Sequence, residues 1–410
     1  MGNFKIRKDN LWFMSILILI ITYPFNIKII SFLRITDILF LLFFFLVFFM
    51  GGLKINFLSS VILLFFICLF ISSLWGIIFY EIKIEGFSFY YKYFSVFFLL
   101  WFILSAELSQ RQCLALLKIL GFSFIFLVFY TFYYHYILVP YARLPLRPDF
   151  LLSDIKYSTA GHLYGAYLST GFSALLSYYL FFVKKHRILW VVMLLVSAIA
   201  VMLTGSRAAV IALAVGLPVL LAINFTKINI KSILCFSNIL PVLIVIIAIV
   251  ICQFYNFDFE SRLNRYTRQV IERTFSFNIN DRSYLSRIKK ITFGVNQLTE
   301  SSIIFGIGPQ ASPMWYDNSI MRLLIDTGVA GLLFFLFGVL IFLKNAYKMS
   351  VRKNKRFYFY ILLISFIVYI INNLSTEFFL VTRSSFPFIL LSGLLYKLII
   401  SSDISYKINS

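Results

Sequence analysis

Charge is scarce in this sequence: Asp, Glu, Lys and Arg make up 13% of its 410 residues, against 61% apolar ones. So little charge cannot clothe a soluble domain of this length, which excludes a water-soluble enzyme. Acidic residues are the rarest, 16 against 37 basic, for a formal net charge of +21. In a soluble protein that balance would suggest nucleic acid. Here the charges fall in short connections between apolar runs, where the positive-inside rule accounts for many of them, and no nucleic-acid partner is expected. Cysteine is confined to Cys68, Cys113, Cys235 and Cys252, in or beside apolar runs without metal-ligand spacing. They read as packing residues, and no metal is expected. There is no repeat of 20–50 residues, and no stretch reads as a soluble domain.

What the sequence has is long apolar stretches. They do not alternate with polar residues as the strands of a membrane barrel do, and no open sheet can cross a bilayer. The expected fold is therefore all-α: a polytopic membrane protein of about twelve transmembrane helices, 1–410 forming a single integral membrane domain. Spans are expected near 11–27, 35–51, 57–80, 88–106, 113–138, 161–183, 188–204, 208–224, 233–254, 319–343, 357–375 and 385–401. Lys5, Arg7 and Lys8 precede the first run with no small-residue cleavage site after it, so that run reads as an uncleaved span. Lys184, Lys185 and Arg187, and the cluster from Lys344 to Arg356, then share the N-terminal basic side, the cytoplasm. Both termini are expected there. Two longer connections, 139–160 and 255–318, fall on the outer face, and the second is expected to carry the site.

That long connection is rich in cations, among them Arg262, Arg265, Arg268, Arg273, Arg282, Arg287, Lys289 and Lys290. Positive charge on the outer face runs against the topological bias. Arginine forks match phosphate oxygens with two parallel hydrogen bonds, so an anionic lipid or lipid-linked diphosphate is a natural ligand. Surface ion pairs such as Arg268 with Glu272 and contacts with lipid headgroups are the plainer explanation. Ile288, Ile291, Val295 and Leu298 recur at helical spacing and predict an amphipathic helix over 283–299, lying on the membrane surface. Gly306, Gly308, Pro309 and Pro313 then mark a turn-rich segment. Between two spans, Thr204-Gly205-Ser206-Arg207 places an arginine at the outer end. Such a residue either faces a functional cavity or snorkels from a hairpin turn.

Thr204-Gly205-Ser206-Arg207-Ala208-Ala209, a long outer connection, Phe305-Gly306-Ile307-Gly308-Pro309 and Asp317-Asn318-Ser319 follow one another in order. The run Leu323-Leu324-Ile325-Asp326-Thr327-Gly328-Val329-Ala330-Gly331 comes next. Together, over about 200–335, these motifs resemble the O-antigen ligase and polymerase superfamily, and specifically its Wzy-type polymerases. The resemblance implies metal-independent glycosyl transfer, with no cofactor, at the outer face of the bacterial inner membrane. The implied donor is an oligosaccharide on undecaprenyl diphosphate. Membrane lipids, a flippase and a chain-length regulator are the other partners it implies. Arg207 matches the span-junction arginine and Arg287 the arginine leading towards the Gly-x-Gly turn. Where the ligases commonly carry His-Asn, this chain has Asp317-Asn318, which favours the polymerase branch. Asp317 is either a general base for the acceptor hydroxyl or the N-cap of the following span. Glu377 and His162 are the other base candidates, and Arg147, Arg282 and Asn318 complete the expected substrate contacts. His135, among aromatic neighbours, reads as a packing residue. A ligase acting on lipopolysaccharide core is the alternative, and a polysaccharide flippase or transporter is the alternative of another class.

Overall fold

The computed structural model describes residues 8–25, 35–54, 57–81, 87–134, 164–172, 175, 187–204, 206, 208–215, 282–309, 311, 316, 318–374 and 382–401. Ten helices are named among them: α1 Lys8–Thr22, α2 Ile35–Phe49, α3 Phe57–Phe79, α4 Phe87–Ser105, α5 Gln110–Tyr133, α6 Arg187–Leu203, α7 Arg282–Glu300, α8 Ser319–Arg352, α9 Arg356–Asn373 and α10 Thr382–Ile400. Residues 164–172 and 208–215 are also helical. Four helices (α3, α5, α8 and α9) are long and apolar enough to cross a membrane, and five shorter apolar helices accompany them.

Helices form here because hydrocarbon offers backbone amides no other partner. Their apolar residues fall on two kinds of surface. On α3, Val61, Ile62, Phe65, Leu69 and Ser72 are buried, whereas Leu63, Ile67, Phe70, Leu74 and Ile78 on the other side are exposed. On α2, Phe40, Phe44 and Val47 face the interior, and Leu42, Phe45 and Phe49 face out. A helix apolar all round, half of it uncovered, is one whose surroundings are lipid.

The chain forms two compact units, one of residues 1–120, 279–359 and 373–410, the other of 121–278 and 360–372. In the first, α3 packs along α8, α4 along α10, and α2 against α1 and α4. The rings of Phe65 and Phe97 meet within this core, tilted, with centroids 4.6 Å apart. In the second, Tyr164 donates to Leu127 O at 2.7 Å, and the Asn372 amide donates to Ser169 Oγ at 3.0 Å. Gly171 lies so close to the Phe124 ring that a Cβ there would collide with it.

The helix expected to end at 343 runs on to Arg352, and the connection to α9 shrinks to residues 353–355. The apolar run does stop near Leu343. Beyond it, Lys, Ala, Tyr and Met continue the helix, because a helix may outlast the hydrocarbon that its apolar residues match. Lys353 and Lys355 then turn back to the end of α10. Lys355 Nζ donates to Leu398 O at 3.1 Å and Ser401 O at 2.9 Å, and Lys353 Nζ to Ser401 O at 3.0 Å. The cations meet carbonyls that the last helical turn leaves without partners.

Candidate functional site

α8 is two helices joined at a break. Gly328 has φ +64° and ψ −172°, a backbone conformation open only to glycine. The amphipathic helix expected over 283–299 is present as α7, Arg282–Glu300. Its inward stripe contains Gly294 and Leu298 rather than the full set expected, since Ile288 and Val295 are exposed. Leu298 packs with Ile307, Ala311, Tyr316 and Ile325. Gly294 permits this, because a Cβ there would meet Tyr316 Cε1 at 2.7 Å and collide with the Ile325 side chain. Tyr80, just past the end of α3, donates to Gln297 O at 2.9 Å and ties α7 to that end.

The Gly-x-Gly turn fills the break in α8. Gly306 and Gly308 have φ of +74° and +75°, which lets 303–308 double back beside the open helix ends. Ile307 N donates to Ile325 O at 2.9 Å and Gly308 N to Asp326 O at 3.1 Å. In return Val329 N donates to Ile303 O at 2.9 Å and Ala330 N to Ile304 O at 3.1 Å. The turn thus satisfies carbonyls of one half-helix and amides of the other, which is the condition for irregular backbone inside a membrane protein. A Cβ on Gly306 would lie 2.7 Å from Ile325 O, so the approach is backbone to backbone.

Within this junction lies a buried ion pair. Arg322 Nε donates to Asp326 Oδ2 at 2.6 Å, and both side chains are 0% exposed. Tyr93 of α4 donates to the same oxygen at 2.8 Å. Ser72 of α3 donates to the Asp326 backbone carbonyl. The Arg322 guanidinium lies 3.8 Å from the centre of the Phe89 ring, and its Nη2 reaches Pro309 O at 3.5 Å, the outer limit of a hydrogen bond. Asp326 Oδ1 is buried, with no hydrogen-bond partner among the described residues. The arginine thus touches the turn, α4 and α8's own next turn at once. Neither residue of the pair is among the expected site residues. The signal is there in the sequence: two opposite charges four residues apart, inside a run otherwise apolar, form an i,i+4 pair on one helix face, and intramembrane charges are costly enough to require a reason.

Of the expected site residues, Asn318 and Arg287 have described side chains. Asn318 is the N-cap of α8: its Oδ1 accepts from Ile320 N and Met321 N, both at 3.0 Å. The cap that the sequence also allowed to Asp317 is made by its neighbour. The Asn318 amide donates to Leu374 O at 3.2 Å, and Ser319 Oγ to Asn373 Oδ1 at 2.6 Å. Arg287 is half-buried on α7, about two helical turns before Gly294, on the side that faces α8 further along the helix. Arg282 opens the same helix. Arg147, His162, Arg207, Asp317 and Glu377, with His135, lie outside the described residues. Beside Arg207, Thr204 and Ser206 are buried, and Ser206 begins the helix 208–215, accepting at its Oγ from Ala209 N at 3.4 Å. This motif is a helix boundary of the second unit. The structure brings together the Gly-x-Gly turn, Asn318 and the run around Gly328, all in the first.

The fold and this junction define a polytopic α-helical membrane protein with a broken helix, plugged by a glycine turn. Residues 190–336 match the family described as O-antigen ligase, the same stretch whose motifs resemble the O-antigen ligase and polymerase superfamily. The matched stretch contains the Thr204–Arg207 motif, α7, the turn, Asn318 and the ion pair. No curated protein matches the chain.

Proposed function

We propose that this protein is an O-antigen polymerase of the inner membrane, a glycosyltransferase joining undecaprenyl-diphosphate-linked repeat units at the periplasmic face. The family match over Arg207, Arg287 and Asp317 carries the reading. In the proposed step a hydroxyl of the acceptor glycan attacks the donor's anomeric carbon. A carbon–oxygen bond forms there as the bond to the lipid diphosphate breaks, and the hydroxyl proton passes to Asp317. Arg207 and Arg287 meet the diphosphate oxygens and stabilise the charge that develops on departure. Arg147, Arg282, Asn318, Glu377 and His162 line the substrates. No metal or cofactor takes part.

The orientation rests on charge. Lys344, Lys348 and Arg352 lie on the last turns of α8, followed by Lys353, Lys355 and Arg356, whereas Asn318 stands at its other end. The basic end is read as cytoplasmic, with both termini there and twelve spans in all. Because Asn318 supplies the cap, a carboxylate at 317 is not required for that purpose. Asp317→Asn should therefore lower the rate of polymerisation about 10²–10⁴-fold, the usual cost of losing a general base, at unchanged protein abundance. A rate within a few-fold of the unmodified enzyme would remove Asp317 from the mechanism.

The description of the matched family favours a second reading, a ligase transferring finished glycan to lipopolysaccharide core. The lipopolysaccharide of a strain lacking the protein separates the two. A single repeat unit on core is the polymerase outcome. Core without repeat units, with long chains left on the lipid carrier, is the ligase outcome. Normal surface glycan rejects both.

A further inference from the structure

We infer that the Arg322–Asp326 pair is a positioning latch that holds the 303–309 turn in the break of α8, and through it the entry into that helix at Asn318. The inference rests on the proposed glycan transfer for its catalytic consequence only; the latch itself is a structural claim.

The geometry is specific to a latch. Four backbone hydrogen bonds join the turn to the break, and all involve residues 303–308 on one side and 325–330 on the other. Their register depends on where the carbonyls of Ile325 and Asp326 point. The Asp326 carboxylate is fixed by Arg322 of the same half-helix and by Tyr93 of α4, and its carbonyl by Ser72 of α3. The first half-helix is thereby held against two neighbouring spans at the residue where its own ladder ends. Arg322 reaches past this to the carbonyl of Pro309, which closes the turn. Further on, Tyr316 is fully buried against Ile325 and Gly294, two residues before Asn318 opens α8. A shift of the turn would therefore be passed to the residues that enter α8.

Neither Arg322 nor Asp326 touches solvent, so neither meets substrate in this arrangement. Their effect is on placement, and a misplacement of about 1 Å can cost about 10²-fold in rate. Removing one charge alone would leave the other buried without its counter-ion and could prevent folding. The informative variant removes both: Arg322→Met with Asp326→Leu, similar in bulk and without a stranded charge.

The test uses the full-length protein in nanodiscs, with Cys68, Cys113, Cys235 and Cys252 changed to Ala and Ile307→Cys introduced in the turn, where Ile307 is 0% exposed. In the otherwise unmodified background, the introduced thiol is expected to resist a water-soluble maleimide; in the double variant it is expected to label at least about tenfold faster. Turnover of a lipid-linked repeat unit, measured without the Ile307→Cys change, is expected to show kcat reduced about 10²-fold with donor KM within about threefold. Arg322→Lys with Asp326→Glu is expected to recover part of the protection. Equal labelling in the double variant and its parent overturns the latch. Unchanged kcat with rapid labelling overturns the claim that the latch positions the site. A parent protein that turns over no lipid-linked glycan sinks the proposed activity instead, and the labelling result then decides the latch alone.

Discussion

The two ends of α8 share one amino-acid vocabulary and use it in opposite ways. At 319–331 the helix is interrupted, carries a buried ion pair, and borrows hydrogen bonds from a turn and from two other helices. From 332 to 352 it is regular, exposes Leu333, Leu336, Phe337 and Leu340, and is followed at once by lysines that cap α10. Both ends contain glycine. Gly328 must be glycine because its φ is positive and a Cβ would collide with Ile304; Gly338 is helical, and a Cβ there would meet only Val61, at 3.1 Å. Apolar composition marks a segment as membrane-bound. It does not say which part of that segment spans and which part is built into a site.

The contrast can be broken most sharply at the ion pair. Arg322→Met alone should destabilise the protein by about 3–5 kcal/mol, the range for a buried charge deprived of its partner, read as lost abundance in the membrane and a lowered unfolding temperature in detergent. Full abundance with Asp326 intact would show that the pair is dispensable to folding. The glycines come next. Gly328→Ala should cost at least about 2 kcal/mol, combining forbidden backbone with overpacking. Gly338→Ala should stay within about 1 kcal/mol, because the helical gain offsets one tight contact. Equal effects at the two positions would erase the distinction between the ends.

Smaller effects sharpen it. Asn318→Ala should cost about 0.5–2 kcal/mol through loss of the cap, and Asn318→Asp should restore most of it, since both residues cap well; thermal unfolding of the purified protein checks this. At the far end, Lys355→Met should cost about 1 kcal/mol, because it removes a cation from the carbonyls at the end of α10 but leaves Lys353 in place. A larger loss than at Asn318 would mean that the basic end, and not the broken one, anchors the helix.

Much of the fold was legible because a bilayer permits few answers. The starts of α2, α3, α4 and α8 fall within a residue of the apolar runs that predict them, and α7 emerges from its 3.6-residue periodicity as expected. What escaped was whatever depends on contacts distant in sequence. The stripe of Ile288, Ile291, Val295 and Leu298 predicts one buried face, but the partner surface, centred on Ile325 and Tyr316, selects Gly294 and Leu298 and leaves Ile288 and Val295 uncovered. Residues 323–333 read as an ordinary span, since only the docked turn reveals that Gly328 is a break. The sequence offered the cap to Asp317 and reserved Asn318 for substrate, whereas the geometry assigns the cap to Asn318. Arg322 and Asp326 are visible as letters, but the surrounding apolar run dominates any reading of that segment.

The broken helix also bears on how the chain enters the membrane. A translocating segment is judged on its own apolarity, and a charged residue near the centre of such a segment costs about 2.5–3.5 kcal/mol. Residues 329–343 can partition unaided, but the preceding half-helix carries two charges and is too short to cross by itself. Its counter-surface, Ser72, Phe89 and Tyr93, is made more than 230 residues earlier in synthesis, about half the chain. The first spans must therefore remain available beside the insertion machinery until α8 emerges, so this protein cannot release its helices into lipid one at a time.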